Sequence, residues 1–186
     1  VLITIPELPL DVWLPDMLDD NIALYYRIEI PDSLAGESLI VTLKGDSLNG
    51  FNELFLRHGD VPTRVLNDFS SLNPFQGTQQ IVVPNLIKGT YYLMVLGQTT
   101  LGNMQNIRLH ARIMPFSIRT VDADQGGNTG SVTTQIDGSK FTAATDFMLR
   151  DSTGGIIYAS NVYFTNPTQV FATFDLNGAA IGLYDV

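Results

Sequence analysis

The chain has no cysteine and only two histidines, His58 and His110, among its 186 residues. Missing thiols exclude disulfide frameworks, thiolate metal sites and thiol nucleophiles, but say little about compartment, because many exported bacterial proteins also lack them. The two histidines form no H-E-x-x-H arrangement and no closely spaced ligand pair, which argues against a His-based zinc site. No G-x-S-x-G elbow supports a hydrolase nucleophile. No run reaches the roughly 18 uninterrupted apolar residues of a membrane helix, so no membrane insertion is expected. Positive charge is scarce as well: 10 Lys and Arg stand against 19 Asp and Glu, a net charge of -9. A field of that sign repels phosphate backbones, so nucleic acid is not an expected partner.

What the chain does have is 45% apolar residues, 16 glycines and 9 prolines, enough for one large or two small globular domains. Short runs of β-branched and aromatic residues alternate with period two, punctuated by turn residues about every ten positions, and helical spacing is nearly absent. Strands are predicted at Leu10–Leu14, Ala23–Ile30, Ser38–Lys44, Glu53–Arg57, Gln79–Val83, Thr90–Gly97 and Ile107–Met114. A second set follows Pro115, at Phe116–Val121, Ser131–Ile136, Asp146–Arg150, Ile156–Phe164, Gln169–Phe174 and Gly182–Val186. The expected architecture is all-β, two tandem antiparallel β-sandwiches over 1–115 and 116–186. The last run stops like an interrupted interior strand, so the second domain is expected to be truncated. With no signal peptide legible at Val1, the chain reads as a mature or excised fragment.

The acidic surplus is concentrated: residues 1–20 hold Glu7, Asp11, Asp16, Asp19 and Asp20 and no cation, whereas acids and bases balance over 21–115. Such a segment reads as a solvated lead-in or as a cation-binding strap for Ca²⁺. Within Ala23–Ile30, Leu24, Tyr26, Ile28 and Ile30 are expected to face the core, with Tyr25 on the wetter side. Thr90–Gly97 is apolar on both faces. Leaving Tyr92, Met94 and Leu96 in water would forgo about 1.5–3 kcal/mol each, so they are expected to be covered, either by the chain itself or by a partner that Tyr92 and Tyr25 would contact.

Residues 22–98 resemble the bacterial pre-peptidase C-terminal (PPC) domain. The resemblance rests on Tyr25-Tyr26 running to Pro31, on Leu39 to Leu43, on Glu53-Leu54-Phe55-Leu56-Arg57-His58-Gly59 with Pro62 after it, and on Gly89-Thr90-Tyr91-Tyr92 leading into Val95. Residues 116–186 resemble an immunoglobulin-like module of the IPT/TIG kind, through Gly127 to Val132, Gly138 to Thr142, Thr168 to Phe174 and Gly182 to Val186. The resemblances imply a building block of a long secreted or surface protein of bacteria. Its role would be adhesion or spacing, or targeting of a neighbouring protease to protein polymer or polysaccharide, with Tyr25 and Tyr92 as contact residues. Its partners would then be neighbouring domains of the same polypeptide and extracellular polymer. Glu53 replaces the aspartate usual in the PPC family, which weakens a family-type calcium site.

No catalytic residues are assigned. Asp122-Ala123-Asp124 resembles the start of a calcium loop, but Thr133 stands at the twelfth position, where a bidentate Glu would be needed, which excludes an EF-hand. Looser calcium sites at Asp122 and Asp124, or at Asp19, Asp20 and Asp46, stay open; no other cofactor is expected. Gly126 to Gly130 introduces no predicted helix and reads as a loop rather than a phosphate cradle.

Overall fold

The computed structural model describes residues 4–45, 50–100 and 104–186, and over these the chain is all-β with antiparallel sheets. It divides into two compact units, Val1–Ile113 and Met114–Val186.

The strands of the first unit are β1 (Leu14–Leu18), β2 (Ala23–Ile30), β3 (Leu39–Lys44), β4 (Gly50–His58), β5 (Phe69–Ser71), β6 (Gln79–Val83), β7 (Gly89–Thr100) and β8 (Gln105–Ile113). They form two four-stranded sheets, ordered β1-β8-β3-β6 and β2-β7-β4-β5. Alternation decides which side chains turn inward. Tyr26, Ile28 and Ile30 of β2, Leu54 and Leu56 of β4, and Tyr91, Leu93 and Val95 of β7 meet the inward rows of β3 (Leu39, Val41, Leu43) and β8 (Ile107, Leu109, Ala111) in one buried cluster. The two sheets therefore face each other as a sandwich. Asn52 of β4 and Gln105 of β8 tie one end together across it. Gln105 Nε2 donates to Asn52 Oδ1 (2.7 Å), and Asn52 Nδ2 donates to Gln105 Oε1 (3.1 Å) and to the Gly77 carbonyl (2.7 Å). Two buried amides satisfied in this way avoid the cost of stranded polar groups.

The acidic segment is not a solvated lead-in. Arg27 N donates to the Pro6 carbonyl and Leu8 N to the Arg27 carbonyl, so residues 6–8 add to the free edge of β2. Leu10 then lies beside Ala111 of the other sheet, and β1 pairs antiparallel with β8 from Leu14↔Leu109 to Leu18↔Gln105. Leu8 and Leu18 are fully buried, with Leu10 and Leu14 packed against the same core. The five acids stay at the surface while the leucines between them close the sandwich flank, so apolar spacing, not net charge, decides where the segment goes. The strand expected at Leu10–Leu14 lies instead at Leu14–Leu18, where Pro15 is tolerated because β1 is an edge. The three-residue β5 is too short to show a period and has no counterpart among the predicted strands. The turn after β1 passes so close to β7 that a Cβ on Gly97 would sit 2.5 Å from the Asp19 carbonyl oxygen.

The second unit holds β9 (Ser117–Asp122), β10 (Ser131–Ser139), β11 (Met148–Asp151), β12 (Ile156–Asn166), β13 (Gln169–Asp175) and β14 (Tyr184–Asp185), hydrogen-bonded in the order β14-β11-β12-β13-β10-β9. Long β12 divides its pairing: Ile156–Tyr158 bond to β11, and Ala159–Asn166 bond to β13 through two irregularities. A bulge at Asp137/Gly138 bends β10 against β9, and Gly138 is packed so tightly on the Ser117 carbonyl and the Phe141 ring that no Cβ fits. The bent sheet wraps a small core of Ile136, Phe141, Phe147, Val170, Ala172 and Phe174, in which Phe141 and Phe147 meet edge to face with centroids 5.3 Å apart.

Candidate functional site

Tyr25 and Tyr92 share the outer face of the β2-β7-β4-β5 sheet. Tyr25 lies opposite Met94, while Tyr92 lies between Arg27 on β2 and Arg57 on β4, so the two rings sit on one diagonal. Both are half-buried, as is Leu96, whereas Met94 and Phe55 beside them are buried outright. The apolar outer row of β7 is thus mostly screened within the chain. Part of the screen is the loop after β4, whose Arg64 reaches back to Glu53 Oε1 (2.6 Å); part is the N-terminal segment, whose Glu7 pairs with Arg27 (3.0 Å). Arg27 also pairs with Glu29, and Arg57 with Asp60 (2.9 Å), so the cations flanking Tyr92 are neutralised. Glu53 Oε2 is buried without a hydrogen-bond partner among the described residues, and Glu53 with Asn52, Asn73, Gln98, Phe51 and Phe75 lines a shallow pocket of about 280 Å³.

The acids considered for calcium fall into separate places. Asp19 and Asp20 form the β1–β2 turn, where Asp19 Oδ1 accepts from Asp20 N (2.7 Å) and Asp20 Oδ2 from Asn21 Nδ2 (3.2 Å). Asp122 ends β9 and accepts from Ala123 N (3.0 Å), and Asp124 lies two residues on at the rim of a groove. Asp46 lies outside the described residues. Among the described residues no three His, Asp or Glu side chains converge as a metal site would require.

That groove, of about 940 Å³, belongs to the second unit. Ile118 and Val121 of β9 form one wall, residues 179–186 the other, and Val132, Leu149 and Phe174 the floor. The two edges of the bent sheet therefore approach each other without pairing. Its charged lining residues, Asp124 and Asp185, are both acidic.

Among the described residues, two polar side chains have pKa values shifted from their ordinary range. Burial, then the hydrogen bond to Asp16 (2.5 Å) and the charge of that carboxylate, push the Tyr26 phenol well above its ordinary range. Asp151 is held below the usual carboxylate range, first by the Thr153 hydroxyl and then by backbone N–H groups of the turn, Gly155 before Thr153. The Tyr26–Asp16 bond ties β2 to β1, and the bonds to Asp151 hold the turn between β11 and β12. His58 Nε2 lies 3.0 Å from the Lys88 carbonyl and its ring leans on Tyr91.

The sequence reading does not single out the outer face of the β1-β8-β3-β6 sheet. Its outward positions include Lys44 on β3 and Arg108, His110 and Arg112 on β8, with Lys44 directly opposite Arg108 and Thr42 opposite both His110 and Gln80. Trp13 stacks on His110, centroids 4.6 Å apart and planes at 14°, and the Arg108 guanidinium lies 5.1 Å from the Trp13 ring centre. The period-two alternation of β3 and β8 already places these cations on one face; the missing signal was that β3 and β8 are neighbours and that Trp13 folds over them.

No protein-family model matches the chain, and no curated protein is similar enough in sequence to count as a relative.

Proposed function

We propose that the chain is a non-catalytic adhesion and spacing segment of a larger extracellular protein of bacteria, built from a PPC-like unit and an immunoglobulin-like unit of the IPT/TIG kind. The observation that carries this reading is the tandem organisation. Two consecutive stretches of chain each gather their own apolar core, as successive modules of a long polypeptide do. The side chains with shifted protonation serve local structure, which accords with a binding or spacing role. Neighbouring domains of the same polypeptide are the partners this reading requires. The test is a hydrolysis panel of peptides and glycans on the folded chain. No turnover is expected, and turnover abolished by a single carboxylate substitution would overturn the reading.

The shared face of Tyr25 and Tyr92 favours a second reading, an accessory domain that carries a protease to protein polymer or polysaccharide. Retention on insoluble collagen, chitin and cellulose, compared with Tyr25→Ala and Tyr92→Ala, tests it; equal retention of all three chains counts against it. Calcium enters either reading only as a stabiliser. A rise in melting temperature on adding millimolar Ca²⁺ would show binding by mass action, and an unchanged value would remove it.

A further inference from the structure

The first unit contains seven Lys and Arg residues, and they sort by surface. Arg27, Arg57, Arg64 and Lys88 each pair with a carboxylate. The other three, Lys44, Arg108 and Arg112, make no ion pair among the described residues, and all three project from the outer face of the β1-β8-β3-β6 sheet. No acid occupies an outward position on that face: Pro15 and Met17 on β1, Asn106 and His110 on β8, Ile40 and Thr42 on β3, and Gln80 and Val82 on β6 complete it. Lys44 and Arg108 face each other across the β3–β8 pair, an arrangement that costs stability when nothing offsets it. The first unit of a protein with net charge -9 thus keeps its cations that lack an ion pair among the described residues on one sheet face, beside the single tryptophan.

We infer that this face binds an acidic polysaccharide, with Lys44, Arg108 and Arg112 meeting the carboxylates and Trp13 stacking on a sugar ring. The inference rests on the binding reading above and names its ligand class. Charge complementarity selects an anion, and the spacing selects a sparsely charged one. Arg108 and Arg112 are four residues apart on one strand, about 13 Å at a rise of roughly 3.3 Å per residue. Duplex DNA would present roughly eight charges over that length, far more than the face can neutralise, and the acidic remainder of the protein would repel it. A flexible polyuronate brings few charges and many hydroxyls. The hydroxyls meet Thr42, Gln80 and Asn106, while Trp13, 39% exposed and braced by His110 and Arg108, offers the apolar plane on which a pyranose ring packs. Asp11, bonded through its backbone to Ala111, and Asp16 on β1 lie near the rim of this face but off its outward rows, and screening over about 8 Å at physiological salt weakens the field of the acids farther away.

The experiment is affinity electrophoresis of the full chain in gels carrying alginate, neutral dextran or duplex DNA, with Trp13 fluorescence followed in solution. Alginate is expected to retard the chain and shift the fluorescence, dextran to do neither, and raising salt above about 0.15 M to weaken the retardation. Lys44→Gln with Arg108→Gln is expected to weaken binding tenfold or more with no fall in melting temperature, since the change relieves a like-charge pair, and Trp13→Ala to weaken it several-fold. Arg108→Lys, which keeps the charge, is expected to retain most of the binding and guards against a folding artefact. Equal binding by the Lys44→Gln, Arg108→Gln chain, equal retardation by dextran, or DNA binding as strong as alginate would overturn the inference. So would a dimer that the same double variant dissolves, since the occupant would then be the acidic surface of a second copy. None of these outcomes alters the hydrolysis panel, so the two readings fail separately.

Discussion

The two units reach all-β structure by different closures. The first sets one sheet against another, and 19 buried residues from both sheets, the N-terminal segment and a loop join one core among the described residues. The second bends a single hydrogen-bonded sheet around six. Its β12 shows the consequence, since Ile157, Ala159, Val162 and Phe164 are only partly buried along the inward side. Ile181 and Leu183, beside its open groove, are 94% and 93% exposed. Strand count and strand pairing are thus a poor measure of stability. Apolar area removed from water sets it, and that requires a second layer over the first.

The sharpest way to break this comparison is to remove one large buried side chain from each core. Phe174→Ala is expected to cost about 3–5 kcal/mol, which approaches the whole stability of a unit this small, and to abolish its transition in scanning calorimetry. Leu54→Ala costs about 2–5 kcal/mol but is expected to leave the larger first unit folded with a lowered transition. If Phe174→Ala merely lowers its transition by a few degrees, the second core is better closed than its burial suggests. A smaller effect probes the buried amide pair that ties the two sheets of the first unit. Asn52→Leu strands the buried Gln105 amide and is expected to lower the first transition by about 1–3 kcal/mol, whereas the double change Asn52→Leu, Gln105→Leu recovers part of the loss.

Next comes Tyr26, whose phenol is held protonated in the folded state. The group is raised on folding, so its contribution is complete below about 10, the ordinary tyrosine value, and is lost as pH rises beyond it, because the unfolded chain ionises first. Denaturant melts between pH 9 and 11 are expected to show the first unit weakening, to an extent that Tyr26→Phe reduces. At neutral pH that variant costs about 1 kcal/mol for the lost bond to Asp16. The smallest effect is expected at Asp151, an exposed carboxylate lowered on folding. Its stabilisation of the β11–β12 turn is present above the ordinary aspartate value near 4 and fades as pH falls through its lowered folded value. Asp151→Ala is expected to loosen the turn, read as faster amide exchange at Thr153 and Gly155, and to leave the first unit unchanged.

Much of the fold was legible because sheet alternation is a local property. Ala23–Ile30 and Gln79–Val83 are the strands the pattern predicts, and most others differ by one to three residues at their ends. β1 is displaced because Pro15 and Asp16 interrupt its apolar period, and β5 is absent from the reading because three residues carry none. The candidate sites were less legible. Tyr25 and Tyr92 fall on one face as their parity requires, but the ion pairs that hem them in come from Glu7, Asp60 and Arg64, residues whose positions follow from loop paths rather than spacing. The acidic first segment was the hardest, because its charge points to water while its leucines point to the core.

By itself, then, the sequence determined the period-two strands, the turns between them and the sign of the overall charge, since each depends on residues a few positions apart. Only the tertiary structure decided which strands became neighbours. That choice brought Lys44 beside Arg108 and folded Trp13 over His110. It also buried Leu8 and closed one unit more completely than the other. Such pairings depend on the packing of side chains far apart along the chain, and no local period records them.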